Sequence, residues 1–206
     1  KPMLAQVADK AFDRPGWIYE IKWDGYRAIA SVKDTLQLYS RNGILLNNLY
    51  PEIVQALKKL KHSCILDGEV VWLNENGKAD FQQLQQYDPL QPGKLVYQAF
   101  DLLELDGKDT SGLALLQRKL LLKKLLGKNN ILLFSKHIAE NGIDFFNEVK
   151  KSALEGIIAK DGSSTYHAGV RTKAWLKIKN MLTEDCYVMG YTAPKGSRKG
   201  FGSLIL

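Results

Sequence analysis

The first third of the chain alternates apolar and polar residues at the spacing of β-strands. In residues 17–22 (WIYEIK), the aromatic and apolar odd-numbered positions face one side of a predicted sheet, and Ile18, Glu20 and Lys22 face the other. This follows because successive side chains of a strand point in opposite directions. The same kind of pattern predicts further strands over 26–32, 36–40, 64–73 and 94–103.

Three segments have helical character. Pro51 opens a predicted helix that extends to Leu60, since proline fits the first turn, where its missing N–H is not needed. In Leu113–Leu126, leucines recur on one predicted face, Lys and Arg occupy the other, and Gly127 follows as a cap. We interpret this segment as an amphipathic helix that covers the core. A third helix is predicted at Ile143–Leu154.

Two short predicted strands, 155–160 and 174–179, follow the third helix and surround a polar loop. Together with the preceding elements they complete an α+β domain, which we place at residues 1–182.

Residues 183–206 form a separate segment by pattern. They contain one predicted strand, Cys186–Tyr191, and a basic loop, Pro194–Gly202, which are too few residues to bury a core. We expect this segment to be the truncated start of a second domain. The chain begins with Lys1 rather than Met, so we expect it to be a piece of a longer protein.

Composition narrows the class of protein. Of 206 residues, 45% are hydrophobic and 25% charged, which is typical of a globular protein and excludes a disordered or collagen-like chain. No apolar stretch reaches the roughly 18–20 residues of a membrane span, so no membrane partner is expected. Two distant cysteines indicate neither a disulfide framework nor a zinc site, which fits a reducing cytoplasm. The net charge of +7 fits polyanion binding and mere solubility equally.

The segment Lys22–Arg27 (KWDGYR) carries the first candidate chemistry. A lysine at a strand end normally faces solvent, but Lys22 lies in an aromatic and apolar stretch with Arg27 close by. Desolvation and nearby cations lower the pKa of a lysine and make its amine nucleophilic. Lys22 is therefore a candidate nucleophile, with a solvated surface lysine as the alternative.

Charged residues also interrupt three other apolar strands. Two of these strands carry carboxylates and the third carries a pair of lysines, and the residues are, in chain order, Asp67 and Glu69, then Glu155, then Lys177 and Lys179. Each one alone fits a salt bridge or a solvated edge, because a buried charge is costly without a partner. Together with Lys22 they supply a nucleophile, carboxylates for ribose or metal, and cations for phosphate. That set predicts a nucleotidyl transferase.

These residues resemble the motifs of the covalent nucleotidyl transferases, which include ATP-dependent DNA ligases, RNA ligases and mRNA capping enzymes. Lys22–Arg27 is similar to their motif I (K-x-D-G-x-R), and five more motifs follow in order at Ser40–Gly43, Asp67–Glu69, Phe100–Leu103, Glu155–Lys160 and Trp175–Lys179. The stretches EGIIAK, WLKIK and GYTAPKGSRKGFGSL are most similar to the ligase domain of bacterial ligase D, and the resemblance covers essentially the whole chain. The chain departs from the family at Asp161, where an arginine is usual.

The resemblance implies a fold and a reaction. The expected fold is an ATP-grasp-like nucleotidyltransferase domain of antiparallel sheets flanked by helices, followed by the first strand of an OB-fold domain. The expected reaction has three steps. Lys22 takes AMP from ATP, AMP passes to a DNA 5′-phosphate, and the 3′-hydroxyl then seals the break. Without the rest of the second domain, self-adenylation from ATP is expected to be slow or absent.

The resemblance also implies roles for individual residues. Glu20 and Ile21 would meet the adenine edge, Phe100 would stack on one adenine face, and Ile157 or Ile158 would cover the other, with Ile158 preferred. The remaining nucleotide contacts would come from residues that bind ribose or phosphate, namely Arg27, Glu69, Lys177 and Lys179, and the two lysines would also lower the pKa of Lys22. Glu155 and Glu69 would support Mg²⁺ or Mn²⁺, which suit carboxylate and phosphate oxygens. Contacts with DNA are expected from Arg41, Lys195 and Arg198.

The partners implied by the family are nicked or broken duplex DNA, the end-bridging protein Ku, and a fused or associated polymerase or phosphoesterase domain. The resemblance implies a monomer in the bacterial cytoplasm, associated with the nucleoid, that acts in double-strand break repair by non-homologous end joining. The alternative within the enzyme class is an RNA ligase or a GTP-using capping-type enzyme, which nucleotide choice would distinguish. An alternative from another class is a DNA-binding scaffold that has lost its chemistry.

Overall fold

The computed structural model of the chain describes residues 1–181, 185–197 and 199–206. Strands dominate it. The strands are β1 (Leu4–Val7), β2 (Trp17–Ile21), β3 (Tyr26–Val32), β4 (Gln37–Ser40), β5 (Cys64–Leu73), β6 (Lys94–Leu105), β7 (Lys108–Asp109), β8 (Leu132–Phe134), β9 (His137–Ala139), β10 (Gly156–Asp161), β11 (Arg171–Lys179), β12 (Gly190–Tyr191) and β13 (Leu204–Ile205). The helices are α1 (Pro51–Lys58), α2 (Phe81–Gln85), α3 (Leu115–Leu126) and α4 (Gly142–Lys151).

The first sheet has the strand order β1-β11-β10-β2-β9. Its register places Ile158 between Glu20 and Lys177, so these three side chains share one face. The opposite face packs against α4 in a buried apolar cluster of Trp17, Tyr19, Phe146, Val149, Ile157, Ala159 and Ile178. The strand alternation predicted for residues 17–22 is confirmed, because its aromatic positions face α4.

The second sheet has the order β4-β3-β5-β6-β7, with β8 paired beside β6. Helices α1 and α3 cover it and contribute Ile53, Leu57, Leu122 and Leu126 to the largest apolar cluster of the molecule. A third cluster, which includes Ile18 and Trp175 of the first sheet, packs beside Phe100 and Leu103 of the second. The two sheets therefore meet through side chains that also border the site described below.

The predicted α+β class is confirmed, and β5 has the predicted bounds. The sheets are not wholly antiparallel, however, since β1 pairs with β11 and β8 with β6 in parallel. Five short elements in the first 150 residues were not predicted, namely β1, α2, β7, β8 and β9. They are short enough that no periodicity develops within them.

The prediction for α3 is wrong in one respect. The helix ends at Gly127 as expected, but Arg118 and Lys119 are buried at 0% and 1% exposure. Leu116 and Leu120, in contrast, are exposed. Buried carboxylates on the neighbouring strands pair with both cations, and this reverses the expected orientation of that part of the helix.

The C-terminal segment contains little regular structure. β12 pairs with β13 in an antiparallel ribbon, so the predicted strand Cys186–Tyr191 is reduced to its last two residues. The predicted domain boundary at 182/183 lies outside the described residues and stays a prediction. In the part of the chain that is described, no helix is both long and apolar enough to cross a bilayer.

Candidate active site

Lys22 lies just beyond the end of β2. Its backbone N–H donates to the carbonyl of Gly156 at 2.9 Å, which extends the contact between β2 and β10 by one residue. Its Nζ forms an ion pair with Glu155, and about a fifth of the lysine side chain is exposed. The following Asp-Gly turn needs its glycine, because a Cβ at Gly25 would collide with the carbonyl oxygen of Val70. The turn after Lys22 therefore packs closely against β5 at Glu69 and Val70.

A cavity of about 240 Å³ opens between the two sheets beside Lys22. Its walls combine aromatic, apolar and charged side chains, and the lining residues include Glu20, Ile21, Lys22, Trp23, Arg27, Arg41, Glu69, Phe100, Ile158, Lys160, Arg171, Trp175 and Lys177. Most of the residues that the sequence predicts for nucleotide binding therefore lie around one cavity. Lys179 does not line it, but its charge acts on Lys177.

The closed end of the cavity is built around the buried carboxylate of Glu20. Lys119 donates to its Oε1 at 2.6 Å, and Lys160 and the Ser135 hydroxyl donate to its Oε2 at 3.0 and 3.1 Å. Burial alone would raise the pKa of Glu20, but the two lysines outweigh burial and hold it below its ordinary value. Glu20 is therefore an ionised, acceptor-only group at this end.

Aromatic side chains form one wall next to Glu20. Phe100 and Trp175 meet edge to face, and the Nζ of Lys160 lies 4.5 and 4.3 Å from their ring centroids. Ile158 lines the cavity, whereas Ile157 is fully buried in the cluster on the opposite face of its sheet. The site thus offers a flat aromatic surface and an aliphatic one, with Ile158 rather than Ile157 in position to cover a base.

Arg27 is fixed by the first carboxylate of the Asp67-Gly68-Glu69 segment. Its Nε and one terminal nitrogen donate to the two Asp67 oxygens at 3.0 and 2.6 Å. The Tyr166 hydroxyl also donates to Asp67, at 2.7 Å. Burial lowers the pKa of Arg27, but the Asp67 carboxylate dominates and raises it above its ordinary value. Asp67 therefore orients a permanently charged guanidinium along the cavity wall.

Glu69 has a different environment two residues further along β5. It lines the cavity, and no side chain or backbone group in the described residues bonds to its carboxylate. Burial raises its pKa to about 8, although Arg27 and Lys22 lower it. A carboxyl group in this state is open to a ligand that supplies donors or positive charge.

The open end of the cavity collects positive charge. Burial lowers the pKa of Lys177, and repulsion from Lys179, Arg171, Lys22 and Arg41 lowers it further. In the described ranges, no carboxylate lies within ion-pair distance of Lys177, Lys179, Arg41 or Arg171. A dense group of cations without counter-charges is suited to a polyphosphate.

Two further carboxyl groups face Lys22 from the outer side. In the described part of the chain, Glu155 has one buried oxygen, Oε2, without a hydrogen-bond donor, while its other oxygen pairs with Lys22. Burial raises the pKa of Asp24, and the charge of Glu155 raises it further. Among the described residues, no group of three or more His, Cys, Asp or Glu side chains could hold a metal by itself. The arrangement fits a Mg²⁺-like ion that one or two carboxylates and nucleotide phosphates hold together.

The predicted DNA contacts are distributed differently. Arg41 borders the open end of the cavity. Lys195 is exposed in the C-terminal segment. Arg198 lies outside the described residues. These three roles stay predictions.

Sequence reasoning missed several residues that shape the site: Arg118, Lys119, Lys160, Tyr166 and Arg171. Lys160 closes the EGIIAK segment, so its position in that motif was an available signal. Arg171 lies in the predicted polar loop between residues 160 and 174, but in the structure it begins β11 and borders the cavity. The sequence around Lys119 contains no signal for its role, because its partner Glu20 is 99 positions away along the chain.

Comparison with known structures places this fold among enzymes that transfer nucleotides. The ligase domain of LigD from Mycobacterium tuberculosis superposes with a TM-score of 0.77 at 32% identity, over 86% of this chain and 60% of that one. A mycobacterial DNA ligase D in complex with ATP and MES gives the same TM-score and identity, over 98% of this chain and 66% of that one.

Sequence comparison identifies the family. Residues 2–179 match the model of the ATP-dependent DNA ligase domain, and the chain belongs to that family. It is 37% identical over 210 residues to the multifunctional non-homologous end joining protein LigD of Pseudomonas aeruginosa, a match that covers this whole chain. The chain spans about a quarter of the length of that relative. The predicted family and fold are confirmed.

Proposed function

We propose that this chain is the adenylating core of a DNA ligase that acts in the repair of double-strand breaks. The observation that supports this most directly is the position of Lys22 at one cavity. The cavity has a carboxylate and aromatic surfaces at its closed end and an unpaired group of cations at its open end. An adenine at the closed end would direct the phosphates of ATP towards Lys177 and Arg41, and the α-phosphate would lie beside Lys22.

In the first step, the Lys22 amine attacks the α-phosphorus of ATP. The new N–P bond forms as the bond to the bridging oxygen breaks, and pyrophosphate leaves with the electron pair. Glu155, which already contacts Nζ, is placed to accept the proton that the amine loses. Lys177 and Lys179 balance the charge that spreads over the phosphate oxygens, and positioning supplies much of the rate.

In the later steps, AMP passes from Lys22 to the 5′-phosphate of a DNA end. The 3′-hydroxyl then attacks that phosphate, and AMP is released. Within the nucleotide site, Phe100 and Ile158 hold the base, while Arg27 and Glu69 meet the ribose. Ile21 completes the base edge beside Glu20.

A divalent cation fits the outer side of Lys22. Glu155 is the best-placed ligand because its Oε2 is buried and lacks a donor, and Glu69 is the second candidate. Mg²⁺ or Mn²⁺ would supply charge neutralisation at the nucleotide phosphates when bound.

The duplex would lie across the open end of the cavity, with Arg41 on the DNA backbone and Lys195 and Arg198 as further phosphate contacts. Association with Ku and with a polymerase or phosphoesterase domain is part of the proposal for the whole protein. The proposed core acts as a monomer.

The test is the intact mass of the chain after incubation with ATP and Mg²⁺ over several hours, with GTP in parallel. We expect a slow increment of one AMP in the wild type and none with GTP. Lys22→Ala should show no increment, and Lys108→Ala, which removes an exposed lysine at the edge of the second sheet, should behave as wild type.

A wild-type chain that binds ATP but never gains AMP would show that the first step needs the rest of the second domain, and the same assay would then be made on the longer protein. Two outcomes would contradict the proposal. An increment with GTP instead of ATP would favour the capping-type alternative, and an increment that persists in Lys22→Ala would place the nucleophile elsewhere.

A further inference from the structure

Helix α3 carries a buried lysine, Lys119, that reaches Glu20 at the closed end of the cavity without lining the cavity itself. The Nζ of Lys119 bonds to Glu20 Oε1 and, at 2.9 Å, to the backbone carbonyl of Ser135. It also lies 4.5 Å from the ring centroid of Phe134. Lys119 is 1% exposed and does not line the cavity, so a bound nucleotide would not touch it.

The hydrogen bonds of Glu20 leave one main acceptor position on its carboxylate for a ligand. Each carboxylate oxygen accepts about two hydrogen bonds. Among the described residues, Oε2 already has two donors, Lys160 and the Ser135 hydroxyl, whereas Oε1 has only Lys119. Because Lys119 and the Ser135 carbonyl fix one side of Oε1, its remaining lone pair has a defined direction.

The two common purines differ in what they would present to such a lone pair. Adenine carries an amino group at its 6-position, which donates, whereas guanine carries an oxygen there, which accepts. A fixed, ionised carboxylate therefore attracts the first and repels the second. If the carboxylate could turn, Lys160 could donate to the guanine oxygen, and the preference would weaken.

We propose that Lys119 is a positioning residue that determines purine specificity, by holding the Glu20 carboxylate so that it accepts from the 6-amino group of adenine. The inference rests on the proposed function, because it assumes that a purine base occupies the closed end. Lys119 differs from Lys160 in this role, since Lys160 lines the cavity and can contact the ligand directly.

The Ser135 backbone supports the same geometry from the second sheet. Its N–H donates to the carbonyl of Ala99 on β6 at 2.8 Å, which fixes the carbonyl that receives Lys119. Glu20 itself lies on the first sheet. Lys119 therefore ties the carboxylate to the opposite sheet as well as to its own helix.

The experiment measures equilibrium dissociation constants of the full chain for ATP, GTP and purine riboside triphosphate, which lacks the 6-amino group. Fluorescence of Trp23 and Trp175 in the cavity wall can report binding. In the wild type we expect ATP to bind at least 100-fold tighter than GTP and about tenfold tighter than purine riboside triphosphate. Lys119→Met should reduce the first ratio at least tenfold and bring the second close to one.

The controls separate positioning from general damage. Lys123→Met removes an exposed lysine of the same helix and should keep both ratios at wild-type values. Lys119→Arg retains the charge and should recover part of the preference for ATP. If Lys119→Met does not fold, Ser135→Ala removes one donor to Glu20 at little cost in volume and should lower the ATP-to-GTP ratio about threefold.

The outcomes are distinguishable from a failure of the proposed function. A folded Lys119→Met protein with unchanged ratios, or an unchanged Ser135→Ala protein where Lys119→Met does not fold, overturns the inference while the ligase assignment stands. A wild-type chain that binds none of the three nucleotides contradicts the proposed function itself.

Discussion

Two groups of cations lie in or near the same cavity, and they differ in burial and in whether a carboxylate pairs with them. The interior cations, Arg118, Lys119 and Lys160, are almost fully buried, and each one bonds to a carboxylate at 2.6 to 3.0 Å. The cations at the mouth, Arg41, Arg171, Lys177 and Lys179, are more accessible and lack a carboxylate partner among the described residues. The paired cations stabilise the structure, although Lys160 also lines the cavity, whereas the unpaired cations at the mouth are available to a ligand.

Desolvation explains why the interior group has to be paired. A buried charge without a partner costs several kcal/mol, so each interior cation bonds to a carboxylate, and Lys119 and Lys160 share that of Glu20. At the mouth, solvent screens the repulsion, and unpaired cations are tolerated. A cluster of like charges nevertheless raises the free energy of the unliganded protein, and a bound polyphosphate would relieve that repulsion.

The largest expected effect comes from removing an interior cation. Arg118 donates to both oxygens of the fully buried Asp101, at 2.7 and 2.9 Å, and to two backbone carbonyls. Arg118→Met leaves Asp101 buried without its partner, so we expect a loss of about 3–5 kcal/mol in the free energy of unfolding. Denaturant titration followed by circular dichroism measures it.

The matched control is Lys151→Met, which breaks the exposed ion pair with Glu148 on α4. No measurable change is expected there, because solvent screens such pairs. If Arg118→Met proved as stable as this control, the distinction between the two groups of cations would be lost.

Glu20 and Glu69 extend the comparison to carboxylates. Two lysines bond to Glu20 and lower its pKa, whereas no cation of the described residues bonds to Glu69 and burial raises its pKa to about 8. Between pH 4.5 and 8 the folded state therefore binds more protons at Glu69 than the unfolded state does. The contribution of Glu69 to stability must then fall as the pH rises through this window.

The prediction is tested by unfolding the wild type and Glu69→Gln at pH 5, 6 and 7. From pH 5 to 7 we expect the wild type to lose about 2 kcal/mol relative to Glu69→Gln, which cannot titrate at this position. The difference between the two proteins removes contributions from other groups, such as His137. A difference that stays constant with pH would show that Glu69 is already ionised at pH 5.

The sequence alone was sufficient for the parts of the site that depend on local pattern. Lys22, Glu69 and Lys177 could be singled out because they are charged residues in or next to apolar strands, and Glu20 and Lys22, which strand alternation assigns to one face, both line the cavity. Such residues owe their orientation to the strand that carries them, so a short window contains the needed information.

The interior cations could not be found in that way. Leucine periodicity predicts that Arg118 and Lys119 face solvent, because a scan along α3 cannot see Asp101 and Glu20 on other elements. The edge strand β1 is invisible for the same reason, since its Leu4 pairs with Arg171 near the other end of the chain. Tertiary partners override local preference at these positions.

The smallest expected effect comes from a cation at the mouth, and it should appear in binding rather than in stability. Lys177→Met removes a lysine that has no carboxylate partner within the described ranges and is repelled by four other cations, so the free energy of unfolding should be unchanged or slightly higher. Affinity for ATP should fall about tenfold, which corresponds to about 1.4 kcal/mol, while affinity for adenosine should be unaffected. Titration calorimetry with both ligands measures the difference between the two affinities.

The control is Lys173→Met, which removes an exposed lysine of the same strand that does not line the cavity. It should bind both ligands as the wild type does. Equal losses for ATP and adenosine would mean that Lys177 supports the base end as well, and the separation between paired interior cations and free phosphate-binding cations would then fail at this residue.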